Sequence, residues 1–184
     1  MLQDALKELI SQYFVQTGVG WAVAGAMVAV MLGCVGSARG IRIAAAQAAG
    51  VLSEKPELFG KLFILMALPG TQGFYAFICA IMICLKTGLL GGTEVIVSPL
   101  VGLSLFFVGL CMGIVEWRSA IYQGETSAAS INLVGKKPDE AGRAILLPGL
   151  VETYAVVALL ASILLILWIT KPGLAFTNPM MGGA

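Results

Sequence analysis

Polar residues thin out four times along this chain, leaving apolar stretches at roughly Val15–Leu52, Leu58–Leu85, Val95–Val134 and Ala141–Ile169. Each exceeds the ~20 residues a helix needs to cross ~30 Å of hydrocarbon. The first and third are much longer, so their ends project into water or the helices tilt. Ahead of them, "MLQDALKELISQYF" sets Leu2, Leu6, Leu9, Ile10 and Tyr13 on one helical face and Asp4, Lys7 and Glu8 elsewhere. That pattern predicts a short amphipathic segment over 1–14, suited to a membrane interface. It makes a poor signal peptide, because its start is not net positive. The expected organisation is a first transmembrane hairpin over 15–86, an extracytoplasmic connection at 87–94, a second hairpin over 95–170 and a flexible tail at 171–184.

Composition agrees with a bilayer as solvent. Of 184 residues, 59% are hydrophobic and 11% charged, with a mean hydropathy of +0.95. A soluble domain of this size leaves about a third of its chain surface exposed, too much for that apolar content. The fold class is therefore an all-α membrane protein with four transmembrane helices. Eight of the 11 Lys and Arg side chains cluster at the 1–2 region (Arg39, Arg42, Lys55, Lys61) and the 3–4 region (Arg118, Lys136, Lys137, Arg143). Positive charge marks the cytoplasmic side, which puts both termini outside. Cys34, Cys79, Cys84 and Cys111 lack metal-ligand spacing and read as small buried hydrophobes. There is no histidine, so the usual zinc, haem and triad chemistries have no ligand or base here.

The chain repeats itself. "SEKPELFGK" precedes "LPGTQGFYA" at Leu68–Ala76, and "GKKPDEAGR" precedes "LPGLVETYA" at Leu147–Ala155. Each copy reads as a charged Lys-Pro turn followed by an outgoing helix. Two tandem helical hairpins running the same way describe this economically, unlike the inverted repeats of many transporters. Glycine and alanine crowd the first helix, as expected where membrane helices approach closely, for example in the inner layer of a ring.

Measured from those turns, three polar residues coincide in depth. Gln72 follows Pro56 by 16 residues, Glu152 follows Pro138 by 14, and Gln123 precedes it by 15. At 1.5 Å per residue these lie roughly 21–24 Å from the turns, about halfway across. A mid-membrane carboxylate costs about 2.5–3.5 kcal/mol even on lenient scales, and a bound cation compensates it. Thr71 offers a hydroxyl, Gln72 and Gln123 amide oxygens, Glu152 the charge, and Pro69 frees an upstream carbonyl. Oxygens without sulfur or nitrogen describe a hard-cation cage. Tyr75, one turn after Gln72, is placed to donate to Glu152. The same polar residues also suit plain hydrogen bonding between helices, although that needs neither a carboxylate nor a clustered hydroxyl.

Leu68-Pro-Gly-Thr-Gln-Gly-Phe-Tyr75, Gln123-Gly124 and Val151-Glu-Thr-Tyr154 after a Lys-Lys-Pro turn together resemble the rotor-ring proteolipid, the K-type subunit, of V-type and V/A-type sodium-translocating ATPases, over about residues 15–170. The resemblance implies a homo-oligomeric rotor ring carrying one Na⁺ per chain, coupled to ATP hydrolysis or synthesis on other subunits. It implies Glu152 as the ion-carrying carboxylate, the Leu68 carbonyl, Thr71, Gln72 and Gln123 as further Na⁺ ligands, and Tyr75 as the hydrogen-bond lock. The first-copy position matching Glu152 is Gly73, hence one ion per chain. Implied partners are identical subunits, a stator membrane subunit (a/I type) supplying a cation, a central-stalk subunit at the cytoplasmic loops, and lipids, with no nucleic acid. The implied location is a prokaryotic cell membrane. The chain itself is expected to be non-catalytic, since it contains no G-x-x-x-x-G-K-[ST] phosphate loop. H⁺ in place of Na⁺, or a small four-helix cation or multidrug exporter, remain the alternatives. Glu116, Trp117, Arg118 and Glu125 depart from the small or apolar residues expected around Gln123; a Glu116–Arg118 ion pair, within the chain or between subunits, is the expected use of the first and third.

Overall fold

Apolar side chains that face outward along four long helices dictate the architecture. The structure, a computed structural model, describes residues 2–91 and 97–171. Its helices are α1 (Leu2–Ile10), α2 (Val19–Glu54), α3 (Phe59–Ala67), α4 (Thr71–Lys86), α5 (Pro99–Lys136), α6 (Ala141–Ala144) and α7 (Leu146–Ile169). A π-helical turn, Ser11–Gln16, extends α1, and 3₁₀ turns at Pro56–Leu58, Leu68–Gly70 and Pro138–Glu140 link the others. Among the described residues, four segments are long and apolar enough to cross a membrane: Val19–Glu54, Pro56–Lys86, Pro99–Lys136 and Pro138–Ile169. The chain is thus two helical hairpins in tandem. Part of the expected 87–94 connection and nearly all of the 171–184 tail lie outside the described residues.

Local chemistry accounts for the helix ends. Ser98 caps α5 by accepting from the Val101 amide at 3.4 Å, with Pro99 in the first turn, where its missing N–H costs nothing. Gly88, at φ 74°, supplies the left-handed residue that closes α4. Lys55 and Lys137 stand before prolines with near-identical backbone angles, φ −136° ψ 71° and φ −135° ψ 83°, outside the helical region that a following proline disfavours. The two turns are therefore copies in conformation as well as in sequence. They are also joined: Lys55 Nζ donates to the Gly135 carbonyl at 2.6 Å and Lys61 Nζ to the Pro138 carbonyl at 3.0 Å. Gln47 Nε2 of α2 also donates to Asn132 Oδ1 of α5 at 2.6 Å, at the surface.

α2 and α5 form the spine. They run parallel, and Gly18, Gly25 and Gly40 of the first hairpin face Gly102, Gly109 and Gly124 of α5 backbone to backbone. A Cβ on Gly25 would lie 2.6 Å from the Phe106 Cα, and one on Gly124 would lie 2.6 Å from the Gly40 Cα. α4 and α7 pack on this pair and on each other, presenting Phe74, Phe77, Leu150, Tyr154, Leu160 and Leu164 outward as a hydrocarbon-facing surface. Cys79 is buried as expected and Cys84 half-buried, but Cys34 and Cys111 are exposed. The predicted apolar side of α1 is exposed at Leu2, Leu6 and Leu9, while Trp21 Nε1 ties the following turn down by donating to the Phe14 carbonyl at 3.1 Å.

The glycine contacts yield a paired prediction. Gly25→Leu forces backbone apart and costs about 1–3 kcal/mol as overpacking, read as a lowered melting temperature of the detergent-solubilised protein. Gly50→Leu, where nothing lies within 4 Å, leaves that temperature unchanged or raised.

Candidate ion-binding site

Pro69 starts the construction of the site. Lacking an N–H, it interrupts the α3–α4 rod as the Leu68–Gly70 3₁₀ turn, and α4 begins afresh at Thr71. Ser37 of α2 repairs the break: its hydroxyl donates to the Gly70 carbonyl at 3.3 Å and accepts from the Gly73 amide at 2.8 Å. The repair depends on Gly33, Gly36 and Gly40, whose missing side chains let Ala76, Trp117, Ala120 and Pro69 close in.

The turn and the first residues of α4 hold three oxygens side by side. Thr71 Oγ1 donates to the Leu68 carbonyl at 3.0 Å and lies 3.4 Å from Gln72 Oε1. Gln72 is fully buried, and its Nε2 donates to Gln123 Oε1 at 2.5 Å, with Ser119 Oγ at 3.5 Å. Gln123, also fully buried, donates from Nε2 to the Pro148 carbonyl at 3.1 Å and to Glu152 Oε2 at 3.4 Å. Tyr75 Oη donates to Glu152 Oε1 at 2.7 Å. The sequence-predicted residues thus meet in one network: Leu68, Thr71, Gln72 and Tyr75 from the first hairpin, and Gln123 and Glu152 from the second. Beside it Ser37 holds the backbone of Gly70 and Gly73, and Ser119 and the Pro148 carbonyl belong to it as well. The second Leu-Pro-Gly signalled the last of these, since the repeat places a proline one turn before Glu152; the two serines carried no motif.

Glu152 itself is only partly buried. It stands in the seam between α4 and α7, flanked on the outer surface by Leu150 and Tyr154. The carboxylate is therefore held on its inner side by donors while its outer side borders the lipid-facing wall. This is a site of neutral oxygens and one negative charge, which suits a small hard cation and offers no nucleophile–base pair.

Glu116 and Arg118 do not pair. Glu116 is fully buried with neither oxygen hydrogen-bonded. Arg118 is exposed and donates to Tyr122 Oη at 2.6 Å, its guanidinium 4.9 Å from that ring. Residues two apart on a helix point to different faces, and full burial also keeps Glu116 from any neighbouring chain. Glu125 is exposed and stands apart from the network.

Residues 24–83 and 106–165, one hairpin core each, both match the family described as the C subunit of ATP synthase. The chain is 35% identical over 150 residues to the V-type sodium ATPase subunit K of Enterococcus hirae, covering 82% of this chain and 92% of that protein. It is 37% identical over 149 residues to the A-type ATP synthase subunit K of Methanocaldococcus jannaschii, covering 80% of this chain but only 62% of that longer relative. With two consecutive copies of the family's unit folded as two hairpins around a shared membrane carboxylate, the chain belongs to the ATP synthase C-subunit family, as a multi-pass membrane proteolipid of the V/A-type ATPases.

Proposed function

We propose that this chain is a rotor subunit of a V-type ATPase or ATP synthase and carries one Na⁺ across the membrane at Glu152. The observation that carries the reading is the half-buried Glu152 carboxylate, clamped by Tyr75 at 2.7 Å beside the contiguous oxygens of Leu68, Thr71 and Gln72. Na⁺ is the cargo. Its ligands are Glu152, the Leu68 carbonyl, Thr71, Gln72 and Gln123. Gln123 turns an amide nitrogen toward Glu152 here, so its oxygen joins the cation by a half-turn of the amide. The sodium named in the Enterococcus hirae relative points the same way.

Rotation follows from solvation. An ionised Glu152 is costly against lipid; neutralised by Na⁺, it passes that region freely. Each copy in a ring of identical chains enters the lipid loaded and unloads where a cation on a stator membrane subunit attracts the carboxylate. The joined Lys-Pro turns are the surface for a central-stalk subunit, on the cytoplasmic side, with both termini outside. ATP chemistry resides on other polypeptides.

Three outcomes check this. Carbodiimide, which attacks protonated carboxyls in apolar surroundings, modifies Glu152, and Na⁺ suppresses the modification at constant pH; suppression by pH alone would make the cargo a proton. Tyr75→Phe removes a hydrogen bond to a charged group, worth about 1.5–3 kcal/mol, and lowers radioactive-sodium affinity by roughly ten- to a hundred-fold. Solubilised protein sediments as a large ring, whereas a dimer would favour the exporter reading.

A further inference from the structure

Glu116 is a second acid in the bundle, outside the network around Glu152. It is 0% exposed, and neither carboxyl oxygen has a hydrogen-bond partner. Small residues make its room: a Cβ on Gly33 would lie 3.7 Å from the Glu116 Cβ and would collide with Ala76. α5 carries Met112, Glu116, Ser119 and Gln123 along one buried face, with Glu116 two turns, roughly 10 Å, from Gln123. Side chains lean toward the N-terminus of their helix. Because α5 and α7 run in opposite directions, Glu116 leans toward the Pro99 end and Glu152 away from it. Glu116 therefore does not belong to the cation cage.

An ionised carboxylate so buried, without donor or counter-charge, costs several kcal/mol. The groups facing it supply no positive charge. From α4 they are Tyr75 and Cys79, and from α7 Glu152, all within electrostatic reach. α2 brings Gly33, with Arg39 turned to the outer surface, and on its own helix Arg118 is exposed and held by Tyr122. A metal ion needs several oxygens around it. Neither Glu116 oxygen has a hydrogen-bond partner, and no group of three or more acid, cysteine or histidine side chains placed to hold a metal occurs among the described residues. The ligand that fits is a proton, which neutralises the group and needs no cage.

We propose that Glu116 is a proton-binding site separate from the cation site, filled while Glu152 holds Na⁺, and that release of its proton tightens the hold on Na⁺. The inference rests on Glu152 being the Na⁺ carboxylate. Release leaves a negative charge roughly 10 Å along α5 from the Gln123 ligand and sends H⁺ to bulk water. At that distance and an effective dielectric near 20, sodium affinity rises on the order of tenfold as pH increases. Linkage makes this reciprocal: bound Na⁺ eases loss of the Glu116 proton.

Infrared spectroscopy of the assembled protein, saturated with Na⁺ at neutral pH, tests this directly. Glu152 is then ionised around its cation, and the water-exposed acids are ionised too. A protonated-carboxyl stretch is expected in the native protein, lost in Glu116→Gln and retained in Glu152→Gln. Glu116→Met serves if the glutamine variant fails to assemble. The Gln variant also loses the extra tenfold gain in sodium affinity with rising pH. Absence of the band from the native protein, while Na⁺ still shields Glu152 from carbodiimide, overturns this inference alone. A band that survives Glu116→Gln but vanishes in Glu152→Gln overturns it together with the sodium reading.

Discussion

α2 and α5 touch backbone to backbone, and most of the interior is arranged around that contact. Gly18, Gly25 and Gly40 meet their counterparts in α5 with no side chain between, a separation only glycine permits. The same closeness brings Ser37 to the Pro69 break and lets Gln123 span to both Gln72 and Glu152. Hydrocarbon supplies no hydrogen bonds, so each polar group inside must find its partner in the protein.

The two halves have diverged around one shared element. In the first, the break falls on Leu-Pro-Gly and α4 restarts at Thr71; in the second it falls earlier, at Ile145, and α7 then runs through Pro148 and Gly149. The outgoing rod of the first copy contributes the neutral oxygens of Leu68, Thr71 and Gln72, and that of the second contributes the Glu152 carboxylate. At Gly73, which matches Glu152, an added Cβ would lie 3.2 Å from the Ser37 oxygen. Space there is already committed to holding the break closed.

The four spans, the duplicated turns and the common depth of Gln72, Gln123 and Glu152 were legible because each is a matter of spacing along a regular helix. Tyr75 reaching Glu152 was legible for the same reason. Ser37 and Ser119 were not: their partners lie 36 and 47 residues away, and a lone serine among glycines and alanines looks like another small residue. The exposed positions of Cys34 and Cys111 were hidden because hydropathy does not distinguish a buried helix face from an exposed apolar one. Glu116 is more instructive. Its seven-residue spacing to Gln123 already put both on one buried face, and helical geometry already separated it from Arg118. The ion-pair expectation followed opposite charges in sequence, where the direction of the side chains should have decided.

The lysine bridges between the two turns also have a mechanical side. Lys55 and Lys61 grip the backbone of the second hairpin through bonds of 2.6 and 3.0 Å, and Gln47 adds a third tie to Asn132. A load applied at either turn is shared by both hairpins before it can bend one against the other.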